Sequence, residues 1–158
     1  MNQIKAELFV GRPPSAARRR LDAFFEQEPI MALHVELMTE DDSALVMERD
    51  VKVRFSSVEH GERGSRQFRV SWGPCEGGPY LAFEGTVEVM ADEQPGGLRL
   101  ILSGSYVPPA GIAGSAFDFI VGRRMARATA RASLQRLRAA IVGADETDTG
   151  KALRSAAG

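Results

Sequence analysis

From Leu33 to Tyr106 the chain alternates apolar and polar residues with period two, and from about Gly114 to Val142 the apolar residues recur at helical spacing. No other feature constrains the fold as tightly. Alternation this clean gives each strand one covered and one wet face, as in an antiparallel sheet; a buried parallel strand would be apolar throughout. The inward set runs Leu33, Val35, Leu37, then, past Asp41-Asp42-Ser43, Leu45, Met47, Val51, Val53 and Phe55. Past His60–Gly64 it continues with Phe68, Val70 and Trp72, and past the loop Gly73–Pro79 with Leu81, Phe83, Gly85, Val87 and Val89. Pro95-Gly96-Gly97 then leads into Leu98, Leu100, Leu102, Gly104 and Tyr106. These are strands in hairpin order, and their apolar face needs a cover. The helical stretch supplies it through Phe117, Ile120, Val121, Met125, Ala128, Leu134, Leu137 and Ile141. At about 1.5 Å per residue it is roughly 40 Å long, enough to span strands of about 30 Å.

Gly85 and Gly104 fall on the inward face, where glycine is costly unless the sheet bends sharply or another backbone comes close. A sheet curling around a helix has that need. Ahead of the sheet, the apolar stretch Ile4–Val10 precedes Gly11-Arg12-Pro13-Pro14-Ser15, with Ser15 as the expected cap of a helix running to about Glu26. Its apolar side is Ala16, Ala17, Leu21, Phe24 and Phe25; Arg18, Arg19 and Arg20 are expected to face water, and Pro29 ends the segment. The expected class is α+β, a curved antiparallel sheet wrapped around a long C-terminal helix. Residues 1–142 form one domain, and residues 143–158, which lack apolar periodicity, form a fraying tail.

A length of 158 residues suits one domain, and a formal charge of −1 pulls the chain towards neither nucleic acid nor anionic membrane. The arginine stripe Arg124, Arg127, Arg131 and Arg138, with Arg123 and Arg136 beside it, reads as the solvated back of an amphipathic helix. No nucleic-acid partner follows, and no run approaches the apolar length of a membrane span. The single cysteine, Cys75, excludes an intrachain disulfide; with no secretory signal at the N-terminus, the expected location is cytoplasmic. The arginine-dominated basic set and the abundant alanine fit a GC-rich bacterial genome.

The order strand, helix, five hairpin strands, long C-terminal helix resembles the helix-grip fold of the START-like or SRPBCC superfamily, which includes polyketide cyclases and lipid-transfer domains. The stretch Leu98-Arg99-Leu100-Ile101-Leu102-Ser103-Gly104-Ser105-Tyr106-Val107-Pro108-Pro109-Ala110-Gly111, followed by Gly114, Phe117, Asp118 and a helix ending Leu134, Leu137, Ile141, looks like a bacterial branch of it. The resemblance covers most of residues 4–142, although the short second helix usual in such folds has no counterpart here. It implies a cavity between sheet and helix that takes a small hydrophobic ligand such as a lipid, a quinone or a polyketide-like molecule. It names no reaction, because fold alone does not carry activity.

Candidate site residues follow from the inward pattern. Arg49 interrupts the run Leu45, Met47, Val51, Val53; a guanidinium on an apolar face needs a ligand oxygen, an ion pair with Asp118 or Glu84, or a bulge that turns it outward. Trp72, Phe83, Tyr106 and Phe117, with Met125 on the helix, would line the pocket; aromatics in such positions also serve as plain core. Tyr106 carries a hydroxyl that needs a partner if buried. His34, His60 and Cys75 show no metal-ligand spacing, so neither a metal nor another cofactor is expected. The glycine-rich loop Gly73–Pro79 lacks the ending of a P-loop, and no nucleophile elbow is present, so no catalytic residue is assigned. Three readings stand: a binding domain for a small hydrophobic ligand, an enzyme of aromatase/cyclase type working through Tyr106, Asp118 or Arg49, and an interaction module with a packed interior. A homodimer is compatible with each.

Overall fold

The computed structural model describes residues 2–57, 66–75, 81–92, 96–107 and 116–156, with backbone alone for 46–47, 57, 74, 92, 116–121 and 144–156. Strand β1 (Asn2–Val10) leads into helix α1 (Pro14–Gln27). Strands β2 (Ile30–Met38), β3 (Leu45–Ser57), β4 (Arg66–Pro74), β5 (Ala82–Asp92) and β6 (Gly97–Val107) follow, and helix α2 (Ala116–Ala156) closes the chain. The sheet order is β1-β6-β5-β4-β3-β2, antiparallel at every pairing. Five strands thus form the expected meander, and β1 adds a sixth at the far edge.

Burial follows the period-two pattern. In β2 the inner Met31, Leu33, Val35 and Leu37 are buried, while Ala32, His34 and Glu36 are exposed. The turn between β2 and β3 is held by Asp41, whose carboxylate accepts from the Thr39 and Ser43 hydroxyls at 2.6 Å each, while Asp42 takes a positive φ of 54°. Those hydrogen bonds favour the ionised form and pull the Asp41 carboxyl down to about 2.

Six strands laid flat, at about 4.8 Å spacing, would put β1 and β2 roughly 24 Å apart, twice the width of a helix. Both edge strands nevertheless pack against α2, as does β6. The sheet is therefore a curled half-barrel gripping the helix, as the resemblance implied. Its tightest point is the cross-strand pair Gly85–Gly104. A Cβ on Gly85 would lie 2.8 Å from the Cα of Gly104 and collide with the Ser103 carbonyl; one on Gly104 would lie 2.6 Å from the Cα of Gly85 and collide with the Glu84 carbonyl. Only glycine lets β5 and β6 close this way.

Helix α2 seats Met125, Ala126, Thr129, Ala130, Ser133, Leu134, Leu137 and Ile141 in the core. Thr129 and Ser133 return their hydroxyls to the carbonyls of Met125 and Thr129, so their burial leaves no donor unmet. The helix continues to Ala156, past Val142 where apolar periodicity stops. Extending an existing helix adds a hydrogen bond per residue without a new nucleus, so helical backbone outlasts the apolar stripe.

Helix α1 departs from expectation at its start. Pro13 is the N-cap, Pro14 occupies the first turn, and no side chain caps it, so Ser15 lies inside the helix; proline needs no cap for the N–H it lacks. Nor do all three arginines face water: Arg19 is exposed, but Arg18 and Arg20 are half-buried, and Arg20 donates to the Ile141 carbonyl of α2 at 2.5 Å. Phe25 of α1 packs on Phe55 and Phe68 with ring centroids 4.8 and 4.3 Å away, closing one end of the half-barrel.

Candidate functional site

The inner face of the sheet gathers most of the residues singled out from sequence. Cross-strand register places Val53, Trp72, Phe83 and Tyr106 in one row over β3, β4, β5 and β6. Trp72, Phe83 and Tyr106 are 4%, 1% and 3% exposed. Trp72 and Phe83 stack with centroids 3.8 Å apart and planes 9° from parallel. The glycine pair makes the stack fit: the tip of the Phe83 ring lies 2.7 and 2.6 Å from where side chains on Gly85 and Gly104 would begin. The phenyl thus rests in the space of two missing methyl groups, with the indole laid on it.

Across from Tyr106, α2 presents a glycine: a Cβ on Gly122 would be 3.6 Å from Tyr106 Cε2, and among the described residues the backbone of α2 comes close to β1, β2 and β6. Met125 is buried on the same end of the helix, next to Arg124, which donates to the carbonyl of Met38 at the end of β2 at 2.5 Å. Arg124 is half-buried, unlike the exposed Arg123, Arg127, Arg131, Arg136 and Arg138, so the arginine stripe is solvated apart from this one anchor. Burial raises the phenol pKa of Tyr106 above its ordinary value, opposed by the positive charge of Arg123 and Arg127.

Arg49 is placed otherwise than a buried cation would be. Its register partner is Val35, so it shares the inner face as its parity implied, yet it is exposed. The described β3–β4 pairing ends at Val51–Pro74, one step short of covering it. It needs no buried partner, and Glu84, paired with Ser71 and Ser105, lies on the outer face and cannot serve as one. The one bulge of this hairpin falls between Leu37 and Met38, not at Arg49. Phe117 and Asp118 stand in the first turn of α2, where only backbone is described; their side chains, like His60, lie outside the described residues.

Two other features were not legible in the sequence. His34 and Glu36 on β2 meet Glu48 on β3, their ligand-type atoms all within 4.8 Å of one another, and Asp50 accepts from His34 Nδ1 at 2.8 Å. The group is assembled across strands, so spacing along the chain does not reveal it. All four side chains are exposed, and the three carboxylates around His34 favour its protonated form. A depression of about 460 Å³ lies on the β1–β6–β5 part of the sheet, lined by Gln3, Ile4, Lys5, Glu84, Ser103, Gly104 and Ser105. Its lining is mixed in polarity, and Lys5 is already paired with Glu7 at 2.9 Å.

No protein-family model matches the sequence, and no curated protein matches it. Solved structures do. A conserved protein from Geobacillus kaustophilus superposes with a TM-score of 0.53 at 10% identity, over 90% of this chain and 96% of that one. The protein TTHA0849 from Thermus thermophilus gives 0.47 at 16% identity over 90% and 98% of the two chains. Human STARD10 gives 0.46 at 11% identity over 94% and 66%. At such identities the likeness to the Geobacillus protein speaks for a shared fold and nothing finer. No helix among the described residues is long and apolar enough to cross a membrane.

Proposed function

We propose that this chain binds a small hydrophobic molecule between the half-barrel and the N-terminal part of α2, against Trp72, Phe83, Tyr106 and Met125. One observation carries the reading: three buried aromatic side chains share one inner-face row over β4, β5 and β6, two of them stacked, where the helix presents Gly122 to Tyr106. Apolar sites with a few polar groups at the margin are the usual form of small-molecule pockets. Tyr106, held protonated by its burial, acts there as a hydrogen-bond donor and not as a base. Arg49, exposed on the inner-face parity, is a cation at the rim.

Native mass spectrometry of the protein purified from its own host tests this, with extraction and identification of whatever is released. A near-stoichiometric apolar molecule, and loss of its retention when Met125 and Tyr106 are replaced by Ala and Phe, is the expected outcome. An apo mass, together with no change in Trp72 emission on titration with apolar probes, would sink the proposal. Trp72 is the chain's one tryptophan, so its fluorescence reports this site alone.

A further inference from the structure

The indole N–H of Trp72 is buried and meets no acceptor among the described residues. An indole nitrogen is a donor only, and buried tryptophans nearly always place that donor on an acceptor. The neighbours in the same row are Val53 and Phe83, whose side chains accept nothing, and the backbone carbonyls around them belong to the sheet ladder. Arg12 and Arg18 also bury an Nε without a hydrogen bond, but each of those residues has another interaction. Trp72 stands apart in being 4% exposed and stacked in place by Phe83 in the aromatic row.

We infer that the molecule bound beside the Trp72–Phe83 stack carries a neutral carbonyl-type oxygen, as in a ketone, ester or quinone, which accepts a hydrogen bond from Trp72 Nε1. The inference rests on the binding reading above and narrows its ligand class. A carboxylate is the poorer fit, because a buried anion needs a cation beside it. Arg123 and Arg127 are both exposed and act on Tyr106 at the far end of the row; Arg49 is exposed at the margin. A pure hydrocarbon would leave the indole donor as unmet as before.

The test compares ligands that differ only in the oxygen: fluoren-9-one with fluorene for a flat shape, and 2-nonanone with nonane for a chain. Affinities are measured for the native protein and for Trp72→Phe, while the single indole cross-peak of the native protein is followed in a proton–nitrogen correlation spectrum. In the expected result a ketone binds and moves the indole proton downfield. Trp72→Phe then weakens that ketone by roughly three- to tenfold more than it weakens the matching hydrocarbon, the range for one net hydrogen bond. Hydrocarbon binding by the variant also shows that it is folded, and the indole shift does not depend on the variant. If hydrocarbon and ketone bind alike, with the indole proton unmoved or both affinities falling together, the inference is overturned while the binding reading stands. Failure of all four to bind overturns both.

Discussion

His34 projects from the outer face of β2 with Asp50 directly across the strand pair, and its ring donates to that carboxylate at 2.8 Å while Glu48 and Glu36 lie at 3.3 and 3.6 Å from Nε2. The Asp50 hydrogen bond, with added attraction from the other carboxylates, raises the imidazole pKa above its ordinary value. Because the folded value lies above the unfolded one, the stabilising contribution is complete below the unfolded pKa of about 6.5 and is lost as pH rises through the folded pKa. Following the ring protons of His34 by NMR against pH should give a midpoint above about 6.5, and Asp50→Asn should lower it. An unchanged midpoint in that variant would show that the hydrogen bond is not its source. The same cross-strand geometry explains what sequence reading could and could not see in individual residues. The parity of Arg49 was readable, since alternation along a strand fixes the face. Its exposure was not, because that depends on where the neighbouring strand stops.

At the level of elements the Gly85–Gly104 pair does two jobs: it lets β5 and β6 bend together, and it clears the space in which Phe83 lies beneath Trp72. Gly85→Ala and Gly104→Ala should each lower the free energy of unfolding by about 2 kcal/mol, measured by urea titration. The double variant should lose less than the sum, since each methyl competes for the same gap. Both should also shift Trp72 emission by tilting its stacking partner; native stability together with native emission would show that the sheet gives way elsewhere at no cost. That these glycines mark a bend was readable from their inward parity. That they face each other, and that Phe83 fills the space above them, depends on strand register, which alternation leaves free by any even number of residues. Helix α1 shows the converse limit: its existence was clear from periodicity, but Pro14 rather than Ser15 opens it, and Arg18 and Arg20 are half-buried, Arg20 because it reaches the Ile141 carbonyl of α2.

For the whole molecule, the last described α2 side chains packed into the core are Ile141 and Val142, and the Ile141 carbonyl also receives Arg20 from α1. Removing residues 144–158 should therefore leave the fold standing, with a thermal midpoint lower by less than about 2 °C. A larger fall would mean that the end of α2 contributes to the domain after all. The sequence by itself determined which faces are apolar, that the sheet is antiparallel, that one long helix must cover it and that the sheet must bend, because each follows from local period or from a residue's own sterics. Only the tertiary structure decided that Trp72, Phe83 and Tyr106 share one row, that the Trp72 donor goes unmet among the described residues, and that His34 sits among three carboxylates. These are relations between residues far apart in the chain, set by register and curvature, and neither quantity is written in the pattern of a single strand.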